Sequence, residues 1–428
     1  MKDFNQFILD LSQIISFNTE LGKAEEGAPF GKNTADCLNA FLDIAKSMGF
    51  ETYNYDNYIG EVRFGQGQEI GIIGHLDVVP AGEGWETDPY TLTFKDGCYY
   101  ARGVSDDKGP TLLALYALKE LKESGIKVNK NFRLFVGCNE ETGWRDVEYY
   151  NKIGTFPEYG FSPDGNFPVV YAEKGVSIIN FKLPLLNNFE DIKGGTVINA
   201  VCAHAQATFK DENLAKQENV KTLAKKYGLK INGKVVESFG KSAHGSHPEL
   251  GVNAILALMQ FFAELGEDVQ NVIDCLFMGK FGLGKLENAQ GKVTMSPDLI
   301  YVKNGKINVD CDCRIPAPLC QKDVQKVVDN FGIEYSASEK HPPVMVDKDG
   351  WFVNALLRAY NEVTGENESA QSMGGSTFAR VFEKGCAFGM EFANENTHMH
   401  EIGECVSKES LEKAYDIYLK TLYNLCAL

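Results

Sequence analysis

The sequence lacks any apolar run long enough to span a bilayer as a helix, which takes roughly 20 consecutive residues. The most apolar stretch, residues 254–265, is shorter and contains Gln260 and Glu264. The first residues lead into an amphipathic segment with Asp10, so the sequence also lacks the uninterrupted apolar core of a signal peptide. We therefore expect no membrane-spanning helix and a cytoplasmic protein.

The chain is also short of basic residues. It has 42 Lys and Arg against 59 Asp and Glu, which gives a formal net charge of -17. Because nucleic acids and anionic membranes attract basic surfaces, we expect neither as a partner. Part of the acidity can instead belong to carboxylates whose charge a bound divalent cation offsets.

Regular cysteine spacing is absent as well. The 11 cysteines are scattered and odd in number, which is not the pattern of a secreted disulfide framework. Cys311 and Cys313 share one face of a predicted strand, but no second Cys or His pair completes a tetrahedral zinc site. A structural zinc site is therefore not expected there.

The length of 428 residues predicts two domains, since single cores stop growing well below this size. In the first part of the chain, residues 69–79 and 131–138 are predicted as buried strands and residues 111–123 as a helix between them. Alternating strands and helices predict an α/β fold with a mainly parallel sheet. Functional residues of such sheets collect beyond the carboxyl ends of the strands.

The pattern changes after residue 175. Segments now alternate apolar and polar residues, with hairpin signals at Asn232-Gly233 and Asn304-Gly305 and a predicted helix over 213–227. This part is predicted as an α+β domain built on an antiparallel sheet. Helical patterning returns in the last part, which we expect to rejoin the first domain. The prediction is thus a catalytic domain of residues 1–175 and 346–428 with an inserted lid domain of residues 176–345.

Acidic residues and histidines follow several of the predicted strands. His75 and Asp77 are two apart on an extended strand and project to the same side, so one can bind a metal while the other orients the imidazole. Taken singly, each residue also has an ordinary structural explanation. It can be a buried histidine whose hydrogen bonds are all made, a helix cap, a residue of a solvated loop or a turn residue. Asp107 is a candidate for the helix cap beside Asp106. The series continues with Asp106, Glu140, Glu141, Asp164 and His400.

Together these residue types suit hydrolysis with two metal ions. Two divalent cations about 3.5–4 Å apart bind a bridging water, lower its pKa and polarise a carbonyl. A mixed imidazole and carboxylate shell suits Zn²⁺, and also Mn²⁺ or Co²⁺. An adjacent pair such as Glu140-Glu141 supplies one ligand and one general base.

Four motifs give the chain a family resemblance. They are Gly-His-Leu-Asp-Val-Val-Pro, Arg-Gly-Val-Ser-Asp-Asp-Lys-Gly-Pro, Asn-Glu-Glu-Thr-Gly and Ser-Pro-Asp-Gly. In this order they resemble the aminoacylase, carboxypeptidase G and succinyl-diaminopimelate desuccinylase metallopeptidases, and most closely the peptidase V-like dipeptidases. The resemblance covers essentially the whole chain.

The resemblance implies a role for each member of the series. It assigns Asp77 to orienting the imidazole and Glu140 to the general base. The last ligand of the family is a histidine followed four residues later by Glu, which favours His400 with Glu404 over His398. The implied metal ligands are His75 and Asp164 for one ion, Glu141 and His400 for the other, and Asp106 as the bridge.

The middle domain also carries pieces of the resemblance. His244 is similar to a lid histidine that stabilises the oxyanion, and Asn199 to an asparagine that assists it. Arg314 is similar to an arginine that binds a substrate carboxylate, a geometry suited to its guanidinium fork. Gly374, Gly375 and Ser376 are expected to add backbone donors there. One departure from the family is that Asn199 precedes Ala200-Val201-Cys202, without the usual proline.

The resemblance implies a monomeric metallodipeptidase that cleaves unblocked dipeptides with two divalent ions, Zn²⁺ first among them. One alternative is an amidohydrolase that removes an acyl group from an amino acid, because fold alone does not separate these reactions. A second alternative is a metal- or amino-acid-binding protein on the same scaffold. The intact Glu140 argues against a mere binder, which has no use for an unliganded base.

Overall fold

The chain divides into two compact units, the second inserted into the first. A computed structural model describes residues 1–276 and 283–428. The sequence predicts unit boundaries near residues 176 and 345. The second unit also contains a short segment from the predicted C-terminal part of the catalytic domain. The first unit comprises Met1–Tyr171, Val346–Gln371 and Thr377–Leu428, and the second comprises Ala172–Met345 and Ser372–Ser376.

Helices and strands alternate in the first part of the chain, and strands dominate the middle. The helices are α1 (Phe4–Ile15), α2 (Lys32–Ser47), α3 (Lys108–Glu123), α4 (Arg145–Tyr150), α5 (Glu212–Lys216), α6 (Glu218–Lys226), α7 (Ala254–Glu264), α8 (Gln270–Leu276), α9 (Gln321–Val328), α10 (Trp351–Thr364) and α11 (Lys408–Cys426). The strands are β1 (Glu51–Tyr55), β2 (Ile59–Gly65), β3 (Gln68–His75), β4 (Thr93–Lys95), β5 (Cys98–Tyr100), β6 (Lys130–Gly137), β7 (Tyr159–Ser162), β8 (Val170–Glu173), β9 (Gly175–Pro184), β10 (Phe189–Gly194), β11 (His204–Phe209), β12 (Lys230–Asn232), β13 (Val235–Phe239), β14 (Glu287–Asn288), β15 (Gly291–Lys292), β16 (Thr294–Lys303), β17 (Lys306–Ile315), β18 (Glu334–His341), β19 (Val344–Met345), β20 (Gln371–Met373), β21 (Lys384–Ala387) and β22 (Cys405–Ser407).

A mixed sheet forms the centre of the first unit. Its strands lie in the order β1-β2-β6-β3-β7-β21. Strands β6, β3, β7 and β21 are parallel to one another, whereas β1 and β2 pair antiparallel at one edge. In β3, Ile70, Ile72 and Ile73 are buried, as expected of a strand covered on both faces. The predicted α/β fold with a mainly parallel sheet is confirmed.

The strand that leads to the candidate site is shorter than predicted. β3 ends at His75, whereas the sequence predicts a strand up to residue 79. The N–H of Leu76 still donates to the carbonyl of Gly137 in β6, but that of Val78 donates to the carbonyl of Thr19, outside the sheet. Residues 76–80 therefore form a loop at the carboxyl edge of the sheet. Such loops are where α/β proteins place functional groups.

An antiparallel sheet forms the second unit. Its order is β12-β13-β11-β10-β16-β17-β9-β18, with antiparallel pairing throughout. The predicted hairpins are present. Between β16 and β17, Asn304 and Gly305 have φ of 52° and 70°, the positive values that a two-residue hairpin turn requires. The predicted α+β character of the inserted part is confirmed.

The helix predicted over residues 213–227 is two helices. α5 ends at Lys216, Gln217 is extended, and α6 begins at Glu218. The buried positions explain the break, since Ala215 and Val220 are five residues apart. One continuous helix repeats its buried face every three or four residues and would turn one of these side chains to solvent.

Helix α7 is the stretch that the sequence identifies as most apolar. It has 11 residues, and it lies against β11 and β13 of its own unit. Leu258, Met259 and Phe262 are fully buried there. Over residues 1–276 and 283–428, no helix combines the length and the apolar character that crossing a membrane takes.

Truncating the core of the second unit should destabilise it. The ring of Phe262 is 0% exposed and lies 4.5 Å from that of Phe189. We expect Phe262→Ala to lower the free energy of unfolding by about 3–5 kcal/mol, the cost of a large core cavity. Leu250→Ala is the control, because Leu250 is 65% exposed and its truncation should change stability by less than about 0.5 kcal/mol. Urea denaturation followed by circular dichroism measures both, and equal midpoints for the two variants would contradict this account of the core.

Candidate metal centre

Three parallel strands of the first unit end side by side. β3 ends at His75, β6 ends just before Asn139-Glu140-Glu141, and β7 ends two residues before Asp164. Because β6, β3 and β7 are neighbours and parallel, their carboxyl ends meet at one edge of the sheet. The sheet thus brings His75 and Asp164 together, with Nε2 of the imidazole 3.8 Å from Oδ2 of the carboxylate.

One ring nitrogen of His75 is held by Asp77 in the loop that follows β3, and the other faces the acids. Nδ1 lies 3.0 Å from the carbonyl oxygen of Asp77 and 3.5 Å from its carboxylate. Since both partners accept, Nδ1 carries the proton of the neutral ring and Nε2 presents a lone pair. Nε2 is 3.0 Å from Oδ1 of Asp106 but forms no hydrogen bond with any described residue. This is the arrangement of an imidazole that ligates a metal.

Asp77 has a second task that the sequence does not reveal. Its two carboxylate oxygens accept the backbone N–H groups of Glu140 and Glu141, at 3.0 and 3.1 Å. The adjacent glutamates are thereby held to the end of β3 across the sheet edge. Asp77 positions both the imidazole and the acidic pair.

Asp106 lies between the two histidines. Its Oδ1 faces His75, and its Oδ2 is 2.7 Å from Nε2 of His400. The same nitrogen of His400 lies 3.3 Å from Oε1 of Glu141. Ligand atoms of His75, Asp106 and Glu141 all lie within 4.8 Å of one another. By contrast, His398 contacts Asn396 and Glu401.

Asp107 behaves differently from the expected cap. It stands at the N-cap of α3, but its side chain makes no capping hydrogen bond. Its Oδ2 accepts instead from the hydroxyl of Thr111 and the N–H of His75, at 2.8 and 3.1 Å. Burial, with the nearby charge of Asp106, raises the pKa of Asp107 to about 8. The expectation that its side chain caps the helix is wrong, because the carboxyl holds the end of β3.

The electrostatics of the cluster favour a cation. Burial raises the pKa of Glu140 and of Asp164 well above the usual range, and neighbouring carboxylates add to both shifts. Burial lowers the pKa of His400, but the hydrogen bond with Asp106 and the negative charges of Asp106 and Glu141 outweigh it and raise that pKa to about 11. Acids crowded in this way are ionised together only if positive charge lies among them.

The residues present fit a divalent metal. Nε2 of His75 and Oε1 of Glu141 are buried and have no hydrogen-bond partner in the described part of the chain. A buried polar atom without a partner costs free energy that a bound ion would recover. Imidazole nitrogen with carboxylate oxygen is the ligand set of Zn²⁺, Mn²⁺ or Co²⁺.

The second unit holds the other predicted residues, and hydrogen bonds fix the backbone of Asn199 and the ring of His244. Asn199 has a φ of 79°, its N–H donates to Oδ2 of Asp298 at 2.8 Å, and its carbonyl accepts from Gly245 at 2.6 Å. Nδ1 of His244 lies 2.7 Å from the hydroxyl of Ser246 and accepts its N–H. The strained φ of Asn199 is thus held by hydrogen bonds on both sides.

Asp298 is a residue that sequence reasoning missed. The pairing of β16 with β17 shifts register between Pro297 and Leu299, which makes Asp298 the bulged residue. A bulge turns a side chain out of the regular alternation. Burial raises the pKa of Asp298 to about 7. A proline inside an alternating strand is the sequence signal of such an irregularity.

Arg314 is already engaged on one side. Its Nε and Nη2 donate to Asp312, and its Nη1 donates to the carbonyl of Gly374 at 3.0 Å. A guanidinium has five N–H donors, so one hydrogen each on Nη1 and Nη2 remains for a further acceptor. A Cβ on Gly374 would lie 3.0 Å from that of Ser246, and Oγ of Ser376 is buried without a hydrogen-bond partner among the described residues. These residues share the second unit with Asn199 and His244.

The sequence is similar to those of known peptidases. The model of Peptidase family M20/M25/M40 matches residues 71–424. A Staphylococcus saprophyticus protein named "Putative dipeptidase" is 31% identical over an alignment of 463 positions, including gaps. The alignment covers 100% of this chain and 98% of that protein. A protein of the same name from Staphylococcus aureus strain MW2 is 31% identical over 464 residues, with 99% and 97% covered.

The fold is similar to those of solved peptidase structures. Human carnosine dipeptidase 1 matches with a TM-score of 0.59 at 14% identity, over 99% of this chain and 97% of that one. The dipeptidase Dug1p of Saccharomyces cerevisiae matches with a TM-score of 0.60 at 14% identity, over 99% and 96%. At these identities the similarity concerns the fold alone.

A methyl group at Gly74 should disturb the end of β3. Its Cβ would lie 1.9 Å from Oγ1 of Thr111 and 2.4 Å from Oδ2 of Asp107. We expect Gly74→Ala to lower the free energy of unfolding by about 1–3 kcal/mol and to weaken metal binding, because His75 must shift. Thermal unfolding and metal content measure the two effects. The double variant Gly74→Ala/Thr111→Ala removes the nearer clash and should recover part of the loss, and wild-type behaviour of Gly74→Ala would refute the tight contact.

Proposed function

Because this chain belongs to the peptidase family M20/M25/M40, we propose that it is a metal-dependent dipeptidase that cleaves the single amide bond of unblocked dipeptides. The observation that carries the proposal is the acidic pair after β6. Asp77 holds the backbones of both Glu140 and Glu141, and only Glu141 reaches the histidine from the C-terminal segment. The carboxylate of Glu141 can therefore bind metal, and that of Glu140 stays available for proton transfer.

Two divalent cations are the proposed cofactors, with Zn²⁺ the first choice and Mn²⁺ or Co²⁺ also suited to the ligands. His75 and Asp164 would hold one ion, Glu141 and His400 the other, and Asp106 both. This assignment is supported by Asp106 lying 3.0 Å from one imidazole and 2.7 Å from the other. When bound, the ions supply a water of lowered pKa and polarise the scissile carbonyl.

Glu140 is the proposed general base. It takes a proton from the attacking water as the oxygen bonds to the carbonyl carbon, and it delivers that proton to the amide nitrogen as the C–N bond breaks. Burial and neighbouring acids raise its pKa, which suits a group that must hold a proton between the two steps. Asp77 keeps this carboxylate in place through its backbone.

The second unit is proposed to bind the substrate. His244 would stabilise the oxyanion of the tetrahedral intermediate, with Asn199 assisting, because a fixed donor gains most where negative charge develops. Arg314 would bind the C-terminal carboxylate with the N–H groups that Asp312 leaves available. Gly374, Gly375 and Ser376 would add donors at the same place.

We propose that the enzyme acts as a monomer in the cytoplasm, without nucleic acid or membrane partners. The described cysteines are thiols rather than disulfides, which supports a reducing compartment. The net charge of -17 disfavours association with a polyanion.

Replacing the proposed base should separate turnover from metal binding. We expect Glu140→Gln to bind the same number of metal ions as the wild type and to lower kcat about 10²–10⁴-fold, the usual worth of a general base. Stopped or continuous dipeptide assays give kcat, and metal analysis after dialysis gives the stoichiometry. Glu148→Gln, an exposed glutamate of α4, is the matched control and should keep full activity. Wild-type kcat in Glu140→Gln would refute this role.

A substrate panel tests the reaction itself. A chelator should abolish activity, and Zn²⁺, Mn²⁺ or Co²⁺ should restore it. The restored enzyme should hydrolyse free dipeptides with a kcat/KM at least about tenfold above that for C-terminally amidated dipeptides, since a lost charged hydrogen bond costs about 1.5–3 kcal/mol. Faster hydrolysis of N-acyl amino acids than of dipeptides would favour a deacylase instead. Full metal occupancy without turnover of either class would favour a binding protein.

A further inference from the structure

A buried ion pair lies next to the candidate metal ligands. Arg102 follows β5 and is 1% exposed, and Glu404 precedes β22 and is 0% exposed. Nη1 of the guanidinium donates to Oε2 of the carboxylate at 2.7 Å. Burying two charges costs desolvation that an apolar pair of the same volume avoids, so such a pair is weak as a stabilising device. The remaining contacts of the two side chains indicate a different purpose.

The carboxylate of Glu404 holds the segment that carries Asp106. It accepts the backbone N–H groups of Gly103 at 3.0 Å, of Ser105 at 2.9 Å and of Asp106 itself at 3.2 Å. Residues 103–107 belong to no helix or strand. Without the ladder of a sheet or a helix, the position of this backbone depends on the acceptor that its N–H groups share.

The guanidinium of Arg102 holds two further segments. Its Nη2 donates to the carbonyl of Glu401 at 3.1 Å and to that of Pro80 at 3.4 Å. Glu401 directly follows His400, which has a φ of 61°, a value that residues other than glycine rarely adopt. Pro80 closes the loop that begins after His75. One side chain thus connects the segments of both histidines.

We infer that Arg102 and Glu404 are positioning residues, which set the spacing of the segments carrying His75, Asp106 and His400 so that the metal ligands are preorganised before an ion binds. This inference rests on the ligand set of the proposed function. Neither residue is assigned contact with an ion or with substrate. They act through the backbones of the residues that have that contact, as partners behind a metal ligand do.

The alternatives to a charged pair explain why these two residue types are used. Apolar side chains of similar volume would leave three N–H groups and two carbonyl oxygens of the surrounding loops without these partners. A carboxylate accepts several N–H groups at once, and a guanidinium donates in several directions from one plane. The pair therefore connects three irregular segments just beyond the point where the pairing of β5 with β22 ends.

The first unit contains a matched control pair away from these segments. Glu61 of β2 and Arg133 of β6 are also buried, with Nε of the guanidinium 2.6 Å from Oε1 of the carboxylate. Further hydrogen bonds of the pair go to Arg63, Tyr55, Glu69, Tyr150 and the carbonyl of Thr155. None of these is a proposed ligand, so loss of this pair should affect stability without affecting the metal site.

The test compares Glu404→Gln and Arg102→Lys with Glu61→Gln in the full chain. Dissociation constants for Zn²⁺ and Co²⁺ come from competition with a chromophoric chelator, and the visible spectrum of the Co²⁺-loaded protein reports ligand geometry. We expect metal binding about 10–100-fold weaker in both positioning variants, with an altered Co²⁺ spectrum. Glu61→Gln should lower the unfolding temperature and keep the wild-type affinity and spectrum.

Glu404→Asp keeps the charge on a shorter side chain and should recover part of the affinity that Glu404→Gln loses. If Glu404→Gln does not fold, the metal affinities and Co²⁺ spectra of Glu404→Asp and Arg102→Lys test the positioning role. Wild-type metal affinity and spectrum in the variants, with a loss of unfolding temperature like that of Glu61→Gln, would overturn the positioning role alone. A wild-type chain that binds no divalent ion would overturn the proposed function and this inference with it.

Discussion

Repulsion between like charges is the constraint on which the first unit depends. Three parallel strands deliver acidic groups to one edge of the sheet, and the chain adds Asp106 and His400 from elsewhere. Ionised carboxylates packed this closely repel one another in a medium of low dielectric constant. The surrounding hydrogen bonds hold the backbones that carry these groups: Asp77 fixes the pair after β6, and Asp107 fixes the end of β3. The fold supplies the rigidity, and a bound cation would supply the missing positive charge.

The sequence predicted the parts that depend on local pattern. Buried strands and the helix between them follow from periodicity, and the strand ends follow from where that periodicity stops, although β3 ends four residues early. The proposed metal ligands follow from the order of the four motifs along the chain and stay a prediction. The break between α5 and α6 was missed because it depends on which apolar positions the unit buries. Contacts between residues distant in the chain were also missed, such as the bulged Asp298 beneath Asn199.

The second unit shows how buried acids can fix several of the proposed substrate-binding residues. Asp312 holds the guanidinium of Arg314, which in turn binds the carbonyl of Gly374. On the neighbouring strand Asp298 holds the N–H of Asn199. Each anchoring acid is buried on a strand of the antiparallel sheet, whereas the groups it holds include loop residues. Strands therefore provide the fixed points, and they hold both a strand residue, Arg314, and the backbone of loop residues such as Asn199 and Gly374.

The distance along the chain between Arg102 and Glu404 has a consequence for synthesis. The two residues are 302 positions apart. At about 5–20 residues per second, a ribosome needs roughly 15–60 seconds to pass from one to the other. From residue 164 until residue 400 the nascent chain contains His75, Asp106 and Asp164, but it lacks His400 and the Glu404 carboxylate that accepts the N–H groups of Gly103, Ser105 and Asp106. The order of residues along the gene therefore delays completion of the proposed site until most of both units has been synthesised.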